Sequence, residues 1–191
     1  FMVDTVASLG CMPFEMDAWG VDVAMSGSQK GLMTPPGLAF VAANDRARER
    51  HRHAGLRTPY WDWTAREALE HYRKYAGTAP VHLLFALRKA FDLLFAEGLD
   101  ASFTRHRLLA RAVRCAIETW AQGDVLDFNI LNAAERSDTV TTVRVSTGYD
   151  PVALQTYCRE KCGVTLGTGI GDLAGKAFRI AHMGHVNAPM I

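Results

Sequence analysis

Lys30 lies in the stretch "DVAMSGSQKGLMTPPGLAFV", among small residues and between two apolar runs at 21–25 and 38–42. Both runs read as short strands, which puts the amine on a loop that follows a core strand. α/β enzymes keep reactive side chains on such loops, although a loop lysine taken alone is more commonly solvated. A second charge stands inside an apolar strand, Arg179 in "AFRIA". A guanidinium there is costly unless paired, and its planar fork suits bidentate capture of a carboxylate. Arg179 therefore implies either an anionic ligand or a structural salt bridge. Asp4, closing the apolar run "FMVD", taken alone caps a strand-to-loop turn. His182 and His185 have no recognisable metal-ligand spacing. Cys11, Cys115, Cys158 and Cys162 lack a zinc-ribbon pattern, so no metal is expected and the cysteines read as reduced thiols.

The rest of the chain has to hold these groups in place. Its 49% apolar and 21% charged residues are those of a folded globular protein. The net charge of +1 gives no general attraction to nucleic acid or anionic lipid. There is no apolar stretch long enough to span a membrane and no signal peptide, so a cytoplasmic location is expected. Residues 1–42 read as strand, turn, strand, loop, strand, with turns at Gly10, Gly20, Gly27 and Pro35-Pro36-Gly37. Asn44 reads as the N-cap of a helix in "DRARERHRHAG", whose arginines are expected to form a solvated face. "WDWTAREALEHYRKY" follows, with Thr64 and Glu67 spaced as a capping box.

Residues 81–96 then read as an amphipathic helix with Leu84, Leu87, Phe91 and Leu94 on one side, ended by Gly98. A long helix is expected over 101–121, broken by Gly123. Beyond it come a β-branched strand at 139–145, a helix at 151–161, and strands in "GVTLGTG" and "KAFRIAHMG". That is a small α+β layer of its own. The pattern predicts a boundary near residue 98, dividing 1–97 from 98–191. The chain starts inside a strand pattern and stops without a closing element, and it is expected to be an internal fragment.

Four stretches in order, "VDTVASLG", "WGVDVAMSGSQKGLMTPPGLAFV", "YAGTAPV" and "GKAFRIAHMG", resemble the class V aminotransferases, especially those of alanine-glyoxylate and serine-glyoxylate type. These are pyridoxal 5'-phosphate enzymes, and the likeness covers nearly the whole chain. It implies the α/β architecture of fold type I: the C-terminal part of a large mixed-sheet domain, then a small α+β C-terminal domain. It also implies that Lys30 forms the imine with the cofactor and afterwards moves a proton between substrate and cofactor. Ser26, Gly27, Ser28 and Gly31 would let the cofactor approach the backbone. By the same resemblance Asp4 is a buried carboxylate beside the pyridine nitrogen, Val6 packs on a ring face, and Gln29 donates to the cofactor phosphate. Tyr75 and Thr78 are expected to contact the phosphate of the neighbouring subunit's cofactor, which implies a homodimer with shared sites. Arg179 is the expected partner of the substrate carboxylate.

The activity so implied is transfer of an amino group from a small amino acid, serine or alanine, to glyoxylate or a similar 2-oxo acid. The alternatives are other class V chemistries, of pyridoxamine-pyruvate aminotransferase or cysteine desulfurase type, and an inactive relative that keeps the fold. A desulfurase needs a cysteine on a mobile loop, whereas Cys158 and Cys162 fall in an expected helix. The glycine- and serine-bearing turn that cradles the phosphate and the aromatic that stacks on the ring are expected upstream of Phe1.

Overall fold

The computed structural model describes residues 1–191, which divide into two units. The first comprises Phe1–Leu9 and Phe14–Leu93, the second Gly10–Pro13 and Leu94–Ile191.

In the first unit three strands form one sheet in the order β1-β2-β3: β1 (Met2–Asp4), β2 (Val23–Gly27) and β3 (Ala39–Ala43). β1 runs parallel to β2, with Asp4 opposite Met25, and β3 runs antiparallel to β2, with Ala39 opposite Gly27. The central strand begins two residues later than its apolar run suggests, because Asp22 is an anchor. Its carboxylate takes both arms of the Arg46 guanidinium at 2.6 Å and the Asn44 amide at 2.9 Å. Chiefly the Arg46 hydrogen bonds hold the Asp22 carboxyl far below the usual carboxylate range.

Asn44 caps α1 (Asp45–Arg52) through its side-chain oxygen and the Ala47 N–H, as its residue type leads one to expect. The arginines of α1 are not simply a solvated face: Arg46 pairs with Asp22, Arg48 with Glu67 and Arg52 with Glu49. The following segment forms two single turns, α2 (Trp63–Arg66) and α3 (His71–Lys74). The expected Thr64–Glu67 capping box is absent. Asp62 caps α2 instead, accepting from the Thr64 N–H at 2.9 Å, and Glu67 closes the turn. A carboxylate at the N-cap faces the positive helix end, and His51 Nε2, 2.7 Å from Asp62 Oδ1, fixes it there.

α4 (Val81–Glu97) buries Leu87, Ala90 and Leu94, the inner line of its apolar stripe. α5 (Leu99–Trp120) follows Gly98, whose φ of 89° is one that favours glycine.

The second sheet is antiparallel throughout, in the order β4-β5-β7-β6: β4 (Leu126–Phe128), β5 (Val140–Val145), β6 (Gly167–Thr168) and β7 (Ala177–Ala181). The short β4 leaves too little alternation to be read from sequence. α6 (Pro151–Tyr157) continues into a wider helical turn, Cys158–Cys162. Val113 and Ile117 of α5 pack on Phe128, Val143 and Phe178, and this cluster is the core of the second unit.

Candidate active site

The Lys30 loop owes its shape to Ser28, which has no exposed surface. Its N–H donates to the Leu38 carbonyl at 3.1 Å and its hydroxyl to the Pro35 carbonyl at 2.8 Å, while its Oγ accepts from the Leu38 N–H at 3.3 Å. The Ser28 carbonyl accepts twice from Thr34, from N–H at 3.0 Å and from Oγ1 at 2.8 Å. The loop is thus closed at its neck, and Lys30, half-buried, projects from the part beyond it. The amine takes part in none of the chain's ion pairs. Thr34 was not singled out from sequence, and Ser28 was read only as a small neighbour of the cofactor. Two small polar residues flanking a lysine in a loop were the available signal.

Asp4 ends β1, and Lys30 comes three residues after the end of β2. Because the two strands are parallel, both groups sit at the carboxyl ends of the sheet, where open α/β sheets bind ligands. Thr5, buried beside Asp4, ties the strand ends together: its N–H and its hydroxyl both reach the Met25 carbonyl at 2.8 Å. Asp4 is exposed, on the outer strand of the three-stranded sheet. Its Oδ1 accepts from the Val6 N–H at 2.8 Å, which fixes the carboxylate and the half-buried Val6 with one bond and leaves Oδ2 free. Gln29 is exposed and folds back on Gly27: a Cβ at position 27 would lie 2.7 Å from Gln29 Oε1.

Tyr75 and Thr78 are exposed, on a tight turn in which Ala76 and Gly77 both have positive φ. No hydrogen bond joins either side chain to the lysine loop.

In the second unit Arg179 is half-buried on β7, opposite Thr142 on one side and Gly167 on the other. Its Nε donates to the Thr168 carbonyl at 2.7 Å, and it joins no carboxylate. The salt-bridge alternative is therefore set aside, and the two terminal nitrogens are left as a fork. Gly167 makes the room, since a Cβ there would come within 3.3 Å of Arg179 Cβ and 3.5 Å of its Nε.

The chain beyond Arg179 is pinned by buried groups. His182 has Nδ1 at 3.0 Å from the Asp138 carbonyl and Nε2 at 3.0 Å from Thr141 Oγ1, a structural role. His106 of α5 has Nδ1 at 2.7 Å from the Ser102 carbonyl, and its Nε2 accepts from the Gly184 N–H at 3.0 Å. Because a carbonyl only accepts, His106 is the Nδ1–H tautomer. Burial lowers the pKa of both histidines. Arg105 adds bonds to the Gly184 and Val186 carbonyls at 3.0 and 2.9 Å while pairing through two arms with Glu97.

These groups fit a pyridoxal phosphate site. The lysine amine is uncommitted, one carboxylate oxygen is free at the same end of the sheet, and the strand that leads to the lysine ends in buried Ser26 and Gly27, followed by buried Ser28, with little side-chain bulk.

The family model described as aminotransferase class-V matches residues 1–178. The chain is 38% identical over 190 residues to L-aspartate–glyoxylate aminotransferase of Paracoccus denitrificans, covering 98% of this chain and 46% of that protein. It is 36% identical over 193 residues to serine–glyoxylate aminotransferase of Arabidopsis thaliana, covering 97% and 46%. The crystal structure of pyridoxamine-pyruvate aminotransferase from Mesorhizobium loti superposes with a TM-score of 0.85 at 30% identity, covering 99% of this chain and 47% of that one. The chain spans about half the length of the curated relatives it matches. Its α/β architecture is that of the fold type I pyridoxal phosphate enzymes. With the family match running over residues 1–178, the chain belongs to the class V aminotransferases, a family that implies pyridoxal phosphate as cofactor.

Proposed function

We propose that the protein is a pyridoxal phosphate-dependent transaminase that passes an amino group from a small amino acid to glyoxylate or a closely similar 2-oxo acid. The observation that carries this reading is the uncommitted Lys30 amine and the half-free Asp4 carboxylate at the carboxyl ends of two parallel strands. The glyoxylate acceptor is common to the names of the two curated relatives above, whose donors are aspartate and serine. Serine or alanine is the donor we assign. Likeness to the pyridoxamine enzyme is likeness of scaffold, and one scaffold serves several substrates.

When bound, the cofactor supplies an aldehyde that exchanges amino groups and a ring that draws electrons from the substrate carbon. In this reading Lys30 Nζ holds the cofactor and later carries the proton removed at that carbon. Asp4 Oδ2 keeps a proton on the ring nitrogen, and Val6 covers a ring face. Gln29 donates its amide to the phosphate. Tyr75 and Thr78 offer hydroxyls to the phosphate bound by a second subunit, so the working unit is a homodimer. Arg179 takes the substrate carboxylate in its fork, which orients every α-amino and α-oxo acid alike. Residues 1–97 belong in this scheme to the large cofactor-binding domain and 98–191 to the small domain.

The test is borohydride treatment of the cofactor-loaded protein with peptide mapping, joined to an assay of serine, alanine and aspartate as donors to glyoxylate. The label is expected on Lys30, together with turnover of serine or alanine. A label on another lysine refutes the site, and a correct label without glyoxylate turnover refutes the acceptor.

A further inference from the structure

Tyr75 and Thr78 flank a strained turn. Ala76 has a φ of 54°, a left-handed conformation that a residue with a Cβ rarely adopts and keeps only where its surroundings hold it. Gly77 follows with a φ of 148°, and its N–H closes the turn on the Tyr72 carbonyl at 2.7 Å. The Ala76 N–H goes to the Arg73 carbonyl at 3.2 Å. That carbonyl has a further donor from outside the turn, Arg66 Nη1 at 3.0 Å.

α3, which leads into the turn, is too short to fix its own position. It has four residues, none of them buried, and its N-cap Glu70 makes no side-chain capping bond. Arg66 supplies what packing does not. From the last residue of α2 it reaches forward to the Arg73 carbonyl with one terminal nitrogen and back to the Tyr60 carbonyl with the other, while its guanidinium carbon lies 5.0 Å from the centre of the Tyr60 ring. A planar fork can span two carbonyls in this way, whereas a single ammonium cannot. Arg66 is half-buried and joins none of the chain's ion pairs, so its charge is spent on these backbone groups. The clasp is itself anchored, because α2 is tied to α1 through Asp62 with His51 and through Glu67 with Arg48.

We infer that Arg66 is a positioning residue for the neighbouring subunit's cofactor: it sets the turn from which Tyr75 and Thr78 offer their hydroxyls to that cofactor's phosphate. The inference rests on the role proposed above for those two residues. It requires a defect at Arg66 to appear at the partner's site and not at the Lys30 of its own chain.

The test follows borohydride labelling of Lys30 by peptide mass analysis as pyridoxal phosphate is added to the complete protein stripped of cofactor. Arg66→Met removes both donors, and its homodimer is expected to need about tenfold more cofactor for half-labelling than the wild type. In a heterodimer with Lys30→Ala, the one Lys30 that can be labelled lies in the Arg66→Met chain and meets the intact turn of its partner. Half-labelling is therefore expected to return to the value for a wild-type and Lys30→Ala heterodimer. An unchanged value in the Arg66→Met homodimer, or a weakened one that persists in the heterodimer, overturns the inference. The same measurements on Tyr75→Phe, Thr78→Ala separate the two levels of the argument. If that double variant is not weakened, or is weakened and not restored by Lys30→Ala, the role of Tyr75 and Thr78 fails and the inference with it. If it is restored and Arg66→Met is not, the role of Arg66 alone fails. Arg66→Lys, which keeps one carbonyl within reach, takes the place of Arg66→Met if the latter forms no dimer. If neither variant dimerises, Arg66 is a folding residue and the inference falls.

Discussion

Thr34 closes the lysine loop on Ser28, donating to the same carbonyl from its N–H at 3.0 Å and from its hydroxyl at 2.8 Å. Both residues are buried, so no water replaces a lost bond. Thr34→Val keeps the shape and removes one donor. It is expected to lower unfolding free energy by about 1 to 3 kcal/mol in a urea titration and to reduce kcat more than it changes KM. A variant of unaltered stability and kcat would show that the neck does not position Lys30.

Asp4→Asn separates charge from turn geometry, because the amide oxygen still accepts from the Val6 N–H. Stability is expected to stay within about 0.5 kcal/mol, as for an exposed position, while the proton-transfer step measured by stopped-flow absorbance slows by orders of magnitude. A near-normal rate would assign the ring nitrogen to another acid.

Arg179 depends on Gly167 for room and on Thr168 for orientation. Arg179→Ala is expected to weaken every carboxylate substrate by about 2 to 5 kcal/mol in kcat/KM while the borohydride label on Lys30 persists. Arg179→Lys is expected to rescue little, since an ammonium has no fork. Unchanged kinetics for donor and acceptor would make the arginine structural.

His106 makes the second unit sensitive to acid. Burial lowers its pKa in the folded state, so between that value and the ordinary 6.5 the unfolded chain binds more protons. Stability is therefore retained above pH 6.5 and lost as the pH falls below it, and His182 acts with the same sign. Arg105 reinforces the depression at His106, whereas the Ser102 carbonyl, Glu97 and Asp138 oppose it. Protonated His106 cannot accept from the Gly184 N–H. The protection of the Gly184 amide, its exchange rate taken relative to the intrinsic rate at each pH, is expected to fall on going from pH 7.5 to 5.5, and His106→Gln is expected to flatten that dependence. A pH-independent exchange free energy at Gly184 would remove the histidine from this role.

If Tyr75 and Thr78 serve the neighbouring subunit's site, as proposed, a complementation experiment is decisive. A heterodimer of Lys30→Ala with Tyr75→Phe, Thr78→Ala contains one intact site if the residues act across subunits, and coexpression is expected to restore activity above both parents. Verified heterodimers without restored activity would return the three residues to a single chain.

Local chemistry made part of this protein legible in one dimension. Asn44 caps α1 because an amide side chain can reach a nearby N–H, and the α4 stripe through Leu87 and Leu94 follows the helical period. Lys30, Asp4 and Arg179 stood out as charges in apolar surroundings and by family resemblance. Wherever a competitor came from a distant part of the chain, the local pattern misled. Thr64 lost the cap of α2 to Asp62, which His51 of α1 holds, and the arginines of α1 found Asp22 and Glu67 across the fold. Only the tertiary structure decided that Ser28 and Thr34 close the lysine loop. It also decided that Gly167, twelve residues from Arg179, clears space for its side chain. Caps and stripes are written within a few residues by backbone period and side-chain reach. Strand order, burial and the partners of buried polar groups depend on which segments meet, and no spacing within one segment encodes that.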